Sequence, residues 1–233
     1  MTLADRIALF SPLDGFAVAL ILMSWILIGW RIENSSLATP SVSSLMARYR
    51  RDWMVQMITR QPRIFDSAIL ATLRQGTTFF ASATMIAIGG GLALLGKTEE
   101  LQGVAQNLTQ TDAPALVWEV KILLALLFLT DAFLKFMWSH RLFGYSAVMM
   151  ASVPNEPDHA AALPRAQKAG ELNITAARSY NRGLRSVYFA MAALAWMIGP
   201  GTLIAATLLT ILVLWRREFA SHSRTILLQG DPE

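Results

Sequence analysis

The chain has 233 residues, of which 54% are hydrophobic and only 15% charged, and its net charge is +4. Soluble domains contain roughly 45–50% apolar and about 25% charged residues, so this composition argues against an ordinary soluble protein. The absence of cysteine excludes disulfides, thiol catalysis and thiolate metal sites.

Four long apolar stretches predict helices that span a membrane. The second holds twenty-one residues without a charge, from Gly76 to Gly96, and ~17–25 residues suffice to cross about 30 Å of hydrocarbon. Strands of a membrane barrel alternate in polarity and are only ~10 residues long, so these runs exclude a barrel. We expect an all-α membrane protein, a bundle of four transmembrane helices forming one domain over residues 1–219, with a polar tail at 220–233. The predicted spans are about 14–31, 75–96, 118–139 and 187–215.

Glycines mark two places in these stretches. Gly89, Gly90 and Gly91 in the second stretch predict a face on which another helix backbone packs closely. The triplet Gly199-Pro200-Gly201 lies near the middle of the fourth stretch, which is too long for one upright crossing. It can kink one tilted helix or turn a short hairpin. Because each half of a hairpin would have about 15 residues, or ~22 Å of helix, we expect the single kinked helix, and the side of the C-terminus depends on this choice.

The charges between the stretches predict the orientation. Residues 31–74 carry seven arginines and three acids, and residues 140–186 carry six basic residues and three acids. Residues 97–116 instead carry one lysine and three acids. Because loops rich in Lys and Arg stay in the cytoplasm, we expect both long loops inside and the N-terminus outside, in a bacterial inner membrane.

Helical patterns continue into both cytoplasmic loops. In the segment 41–74, apolar residues recur every four positions from Leu45 to Met57 with arginines on the other side, which predicts an amphipathic helix. The pattern then resumes and leads into the second span. Residues 171–186 show the same four-residue spacing of apolar side chains, with arginines on a separate face. Residues 152–170 contain three prolines and are expected to form an irregular loop.

Two groups of charged residues are candidate sites. Asp131 and Lys135 lie one turn apart inside the third stretch, at the spacing that lets an acid and a base pair on one helix face. An intramembrane acid is a functional candidate by default, while the simpler interpretation is that Lys135 neutralises Asp131. The cytoplasmic arginines either attract anionic headgroups or converge on an anionic ligand or an acidic protein surface. They are Arg48, Arg50, Arg51, Arg60, Arg63, Arg178, Arg182 and Arg185.

A set of scattered positions, rather than one compact motif, carries a family resemblance. They are Leu73-Arg74 with Ala81-Ser82-Ala83, Lys121 to Phe133 with Arg141, Gly183-Leu184-Arg185 with Tyr188-Phe189, Trp196 and Gly199-Pro200, and finally Trp215 to Phe219. In these residues the chain resembles the family of integral membrane proteins catalogued as domain of unknown function 599, DUF599. The likeness extends roughly from the first span to Phe219. The resemblance implies the helical topology and adds no chemistry, because the family is named for its missing function.

No catalytic constellation accompanies the apolar stretches. The histidines at positions 140, 159 and 222 have no paired metal-ligand spacing, and no nucleic-acid-binding module is recognisable. We therefore expect no enzyme activity, no metal or cofactor, and no nucleic-acid partner. The leading hypothesis is a non-catalytic membrane module that binds a protein partner or anionic lipid through its arginine-rich helices. The alternatives are a small transporter or channel subunit, as a homo-oligomer, that uses Asp131 and the broken fourth stretch, and a lipid-modifying membrane enzyme.

Overall fold

The computed structural model describes residues 8–97 and 114–229. Its helices are α1, Pro12–Glu33; α2, Val42–Gln56; α3, Ile64–Leu95; α4, Ala115–Ala151; α5, Ala162–Leu194; α6, Pro200–Phe219; and α7, His222–Leu228. Short 3-10 turns at Met57–Thr59 and Ala195–Met197 follow α2 and α5. No strand occurs in the two described ranges, so the all-α class is confirmed for them. The predicted outer loop falls mainly on residues 98–113, outside the described residues.

The amphipathic helix predicted after the first stretch is α2. Its first turn is capped by the Ser41 side chain, which accepts a hydrogen bond from the backbone N–H of Ser44. The helical pattern that resumes after Pro62 is also confirmed, because α3 runs for 32 residues without a break into the second apolar stretch. Among the described residues, α1 and α3 are each long and apolar enough to cross a membrane.

Two helices are longer than predicted. The helix of the third stretch, α4, continues beyond the predicted end at 139 as far as Ala151. At the other side of the loop, α5 begins at Ala162, inside the segment expected to be irregular up to residue 170. Pro164 does not prevent this because it lies in the first turn, where a missing backbone N–H leaves no helical hydrogen bond unmade. The irregular connection therefore shrinks to residues 152–161.

The chain packs as two compact units. The described residues of the first unit lie within 1–31, 84–132 and 184–216, and those of the second lie within 32–83, 133–183 and 217–233. The second unit has an apolar core in which Met54, Met57 and Phe143 pack against a series of alanines on α5. These small residues let α2 lie close to α5, and a Cβ added at Gly170 would be 3.4 Å from the Met54 side chain.

In the first unit, the end of α5 runs antiparallel to α1. The indole Nε1 of Trp25 donates to Ser186 Oγ at 3.1 Å. Ten residues later, in the 3-10 turn that follows α5, the indole of Trp196 donates to Asp14 Oδ1 at 2.7 Å, near the start of α1. Asp14 also caps α1 by accepting from the Ser11 backbone N–H at 3.0 Å. The contacts therefore progress in opposite directions along the two helices.

The fourth apolar stretch, 187–215, is a helical hairpin rather than one kinked helix. Helix α5 ends at Leu194, the 3-10 turn follows, and α6 begins at Pro200 within the predicted Gly199-Pro200-Gly201 break. At the far end of α6, the Arg31 guanidinium lies over the Trp215 ring, 5.7 Å from its centroid. Since Arg31 is near the end of α1, helix α6 returns in the direction opposite to α5. The preference for a single kinked helix was wrong, because the chain turns back at residues 195–199 and its two arms contact opposite ends of α1, at Asp14 and at Arg31.

Candidate functional site

Two of the predicted arginines connect α2 with α5 in the second unit. The half-buried Arg50 donates through Nη1 to Asn173 Oδ1, and burial lowers the pKa of Arg50. Arg51 donates through Nε to Glu171 Oε1 at 2.6 Å on the exposed surface. The hydrogen bond with Glu171 raises the pKa of Arg51. Both arginines thus have partners within the fold and hold two helices together.

Arg60 belongs to a buried polar cluster where α2 turns into α3. Its Nη1 lies 2.5 Å from Asp66 Oδ1, and the indole of Trp53 donates to the same oxygen at 2.7 Å. The Asp66 side chain is only 1% exposed, whereas that of Arg60 is 38% exposed. The cluster neutralises a buried carboxylate, so Arg60 is explained by packing rather than by a ligand.

Arg63 fixes the connection between α4 and α5. It donates to the backbone carbonyls of Val153 and Pro154, each at 2.7 Å. Arg165 donates to the neighbouring carbonyl of Ser152 at 2.6 Å. Guanidinium groups satisfy carbonyls that an irregular backbone leaves without a helical donor. The proline-containing connection is therefore held in place at its start.

The three arginines predicted to form one face of α5 do not share one environment. Arg178 is exposed. Arg182 forms an ion pair with Glu33, in which Nε donates to Oε1 at 2.8 Å. Arg185 lies in the first unit and is only 7% exposed, and a Cβ added at Gly29 would be 3.7 Å from its Nε. Helical spacing predicted a common face, but the neighbouring helices separate its members.

Two of the predicted arginines, one on α2 and one on α5, remain exposed in the second unit. With two exposed side chains of α2 they make up what we call the headgroup surface: Met46, Arg48 and Tyr49 on α2 and Arg178 on α5. All four side chains are exposed. Within the part of the chain that the structure describes, the guanidinium groups of Arg48 and Arg178 contact no acid. Exposed cations beside exposed apolar side chains are typical of helices that lie at a membrane interface.

Two hydrogen-bonded contacts fix the start of α2 next to other helices. The backbone N–H and the hydroxyl of Ser43 donate to the Glu218 carboxylate at 3.0 and 3.1 Å. The Asn181 side chain on α5 donates to Ser43 Oγ at 3.4 Å. Glu218 lies one residue before the end of α6, at Phe219. The headgroup surface therefore lies near the level at which α6 ends.

Asp131 lies in a polar hydrogen-bonded chain in the first unit. The Ser186 hydroxyl donates to Asp131 Oδ2 at 2.5 Å, and Ser186 itself accepts from the Trp25 indole. Ser186 is fully buried. Lys135 belongs to the second unit, where its backbone carbonyl accepts from the Ser179 hydroxyl at 2.9 Å. The pairing of Asp131 with Lys135 stays a prediction.

The glycines differ in their surroundings. A Cβ added at Gly91 would lie 2.5 Å from the Leu126 side chain, so this glycine permits the predicted close approach. A Cβ added at Gly89 or Gly90 would meet no described atom within 4 Å, and the same is true of Gly199 and Gly201. The packing role is therefore supported at Gly91 alone among these positions.

One polar cluster was missed by sequence reasoning. In the second unit, His140 on α4 meets one turn of α3: its Nε2 lies 3.4 Å from Arg74 Nη2. Its Nδ1 lies 3.2 Å from Thr77 Oγ1 and 3.3 Å from Thr78 Oγ1. The second and third spans were predicted to cross the membrane in opposite directions, so Arg74 and His140 both lie at predicted cytoplasmic ends. That predicted topology was the signal that could have brought these two residues together.

The described residues contain no group of three or more His, Cys, Asp or Glu side chains placed to hold a metal ion. A family model described as "Protein of unknown function, DUF599" matches residues 16–223 of the chain. No curated protein and no solved structure matches the chain. The family model thus covers most of the chain and supplies no activity.

Proposed function

The chain belongs to the DUF599 family of proteins of unknown function, and we propose that it is a non-catalytic, multi-pass membrane module that binds anionic lipid through its headgroup surface. The observation that carries the proposal is the position of Arg48 and Arg178, which are exposed cations close to the ends of apolar helices.

Exposed apolar faces in the first unit support membrane placement. Along α1, large apolar side chains between 49% and 63% exposed recur from Leu13 to Trp30. Only 22% of the apolar window of α1 and 11% of that of α3 is buried, whereas a core helix of a soluble protein would be mostly buried. Hydrocarbon is the solvent that favours such faces. On α6 the exposed large apolar side chains are Leu208, Leu209, Leu212, Val213 and Trp215.

The hairpin supports an odd number of crossings. Because Trp196 bonds to Asp14, the tip of the hairpin reaches the level at which α1 begins. Helix α6 is 20 residues long, about 30 Å, which suffices to return through the hydrocarbon. With the arginine-rich loops inside, the N-terminus lies outside and the C-terminus inside. The four predicted spans thereby become five crossings of a cytoplasmic membrane.

The headgroup surface lies within reach of lipid phosphates in this arrangement. Arg48 follows Ser43 by five residues, or about 8 Å of helix, and Arg178 precedes Asn181 by three residues, or about 5 Å. Ser43 contacts Glu218 and Asn181, near the end of the last apolar helix. Interfacial charges act over a Debye length of ~8 Å at physiological salt. Each arginine can then contribute about 1 kcal/mol of attraction to an anionic leaflet.

The test compares lipid retention by the protein and its variants in nanodiscs of phosphatidylcholine and phosphatidylglycerol. We expect the double variant Arg48→Gln with Arg178→Gln to retain less phosphatidylglycerol, by up to about 30-fold if both contributions are lost. The matched control is Lys168→Gln, which removes an exposed cation on the same helix, ten residues or ~15 Å away from Arg178. Retention measured by native mass spectrometry should not change in this control.

Two results would contradict lipid binding at the headgroup surface. One is unchanged phosphatidylglycerol retention in the double variant, and the other is an equal loss in Lys168→Gln. A protein partner with an acidic surface is the alternative occupant. Loss of a co-purifying protein, with lipid retention unchanged, would assign the headgroup surface to that partner instead.

A second candidate function, a small transporter or channel subunit, is favoured by the polar chain from Trp25 through Ser186 to Asp131. An acid among apolar helices with hydrogen-bonded neighbours is a recurrent feature of ion and proton pathways. Under this function, Asp131→Asn should abolish proton or cation flux into proteoliposomes, while Ser186→Ala should reduce it. Absence of flux in the unmodified protein would remove the candidate.

A further inference from the structure

The cluster of Arg74, Thr77, Thr78 and His140 joins one turn of α3 to α4. Arginine has no acceptor atom, so Arg74 Nη2 can donate a hydrogen bond across the 3.4 Å contact only to a His140 Nε2 that carries its lone pair. In that tautomer the N–H on Nδ1 points to the threonine hydroxyls. Those hydroxyls in turn donate to the Arg74 backbone carbonyl, at 2.6 Å from Thr77 and 3.2 Å from Thr78. The cluster thus contacts both the guanidinium group and the backbone carbonyl of Arg74.

Arg74 is a half-buried cation with few partners. Its Nε is buried and has no hydrogen-bond partner among the described residues. Its guanidinium contacts no carboxylate in the described part of the chain, and its Nη2 is 3.4 Å from His140 Nε2. Because a guanidinium has five N–H donors, Arg74 has donors left for an anion from outside the described fold.

Exposed apolar and hydroxyl side chains occur on the two helices that carry Arg74 and His140. Thr78 is exposed one turn after Arg74, and Phe79 next to it is 66% exposed. On α4, Trp138 lies two residues before His140 and is 51% exposed. Arg74 itself directly precedes the second predicted span.

We infer that Arg74, positioned by His140, binds the phosphate group of an anionic phospholipid. Guanidinium and phosphate form paired, charge-assisted hydrogen bonds, and Nη1 of Arg74 donates to no described residue. His140 acts as a positioning residue because its Nε2 lone pair orients Nη2. The inference rests on the proposed membrane placement but concerns a site distinct from the headgroup surface.

The test reads the imidazole signal of His140 by NMR of protein labelled at histidine, in detergent micelles. The variant His140→Gln assigns the signal among the three histidines. We expect dioleoylphosphatidylglycerol to shift the His140 signal, and Arg74→Gln to weaken this binding at least about ten-fold. The matched control is Arg141→Gln, which removes an exposed arginine beside His140 whose Nε donates to Tyr145 at 2.5 Å.

The outcomes separate the sources of phosphate. A shift with phosphatidylglycerol that exceeds the shift with inorganic phosphate supports a lipid site, and equal shifts support a site for soluble phosphate. No shift with either probe, or equal weakening in Arg74→Gln and Arg141→Gln, overturns the inference. The variant with Arg48→Gln and Arg178→Gln should keep the His140 response, so failure of the headgroup surface is distinguishable from failure at Arg74.

Discussion

Replacement of Gly183 by alanine should destabilise the protein, although alanine is the better helix former. A Cβ at Gly183 would lie 2.7, 2.9 and 2.9 Å from three ring atoms of Phe136. That ring is fully buried, stacked on Phe80 at a centroid distance of 5.4 Å and tilted against Tyr180 at 5.6 Å. Because aromatic neighbours confine the ring, it cannot move away without disturbing the packing of both.

The magnitude follows from two opposing effects. Overpacking a well-filled core costs about 1–3 kcal/mol, and replacing glycine by alanine inside a helix gains about 1 kcal/mol. The matched control is Gly144→Ala in α4, where a Cβ would meet no described atom within 4 Å, so that only the helical gain applies. The two variants should differ by about 1–3 kcal/mol, or ~2–12 °C in Tm for a chain of this size.

Thermal unfolding followed by tryptophan fluorescence in one detergent measures both variants. Equal midpoints for Gly183→Ala and Gly144→Ala would refute the reasoning. A double variant makes the test specific: with Phe136→Leu already present, Gly183→Ala should cost less than it does alone, because the clashing ring is gone. Additive effects of the two substitutions would show that the destabilisation has another origin.

Three further predictions concern topology, the buried cluster and the loop. A reporter fused to the C-terminus should be active in the cytoplasm, and an external signal would contradict the hairpin. Asp66→Ala should lower the free energy of unfolding by about 1–3 kcal/mol, because Trp53 and Arg60 lose their acceptor; a thermal midpoint equal to that of the unmodified protein would oppose this. Arg63→Gln should speed proteolysis within residues 155–161, measured against Arg141→Gln, in which cleavage should be unchanged.

Periodicity predicted the local helices because it depends on one face being apolar. In α2 the buried positions, Leu45 and Met54, belong to the apolar face recognised in the sequence. The prolines of residues 152–170 were less informative. Proline forbids a helix interior but not a first turn, so Pro164 permits α5 to start where an irregular loop was expected.

The arginine sites could not be predicted because a helical face does not reveal what lies opposite. Arg178, Arg182 and Arg185 share a face by spacing, yet Arg182 meets Glu33 and Arg185 is buried. These outcomes depend on contacts between residues about 150 positions apart. Gly183 contributes to the family resemblance in the sequence. The need for a glycine at this position comes from the close approach of the Phe136 ring, which depends on how the helices pack.

The fourth apolar stretch shows why length alone misled. The length of the apolar stretch is compatible with a tilted helix or a hairpin. It favoured the single helix because each half of a hairpin within it would be too short to cross the hydrocarbon. The sequence contained an opposing signal in Arg216 and Arg217, since two arginines directly after a span prefer the cytoplasm. A single kinked helix would have placed them outside with the N-terminus.

In the proposed membrane placement, the hairpin removes that conflict and puts the cations on a common side. Since Trp215 contacts Arg31 and Glu218 contacts Ser43, α6 ends near the start of the arginine-rich segment 31–74. Arg216 and Arg217 then follow the same charge rule as the long loops. In that arrangement Arg48 and Arg74 face one leaflet, so a single anionic lipid composition acts on both proposed sites. Raising the salt concentration should then weaken lipid attraction at exposed Arg48 more than at half-buried Arg74, because screening is weaker for partly buried charges.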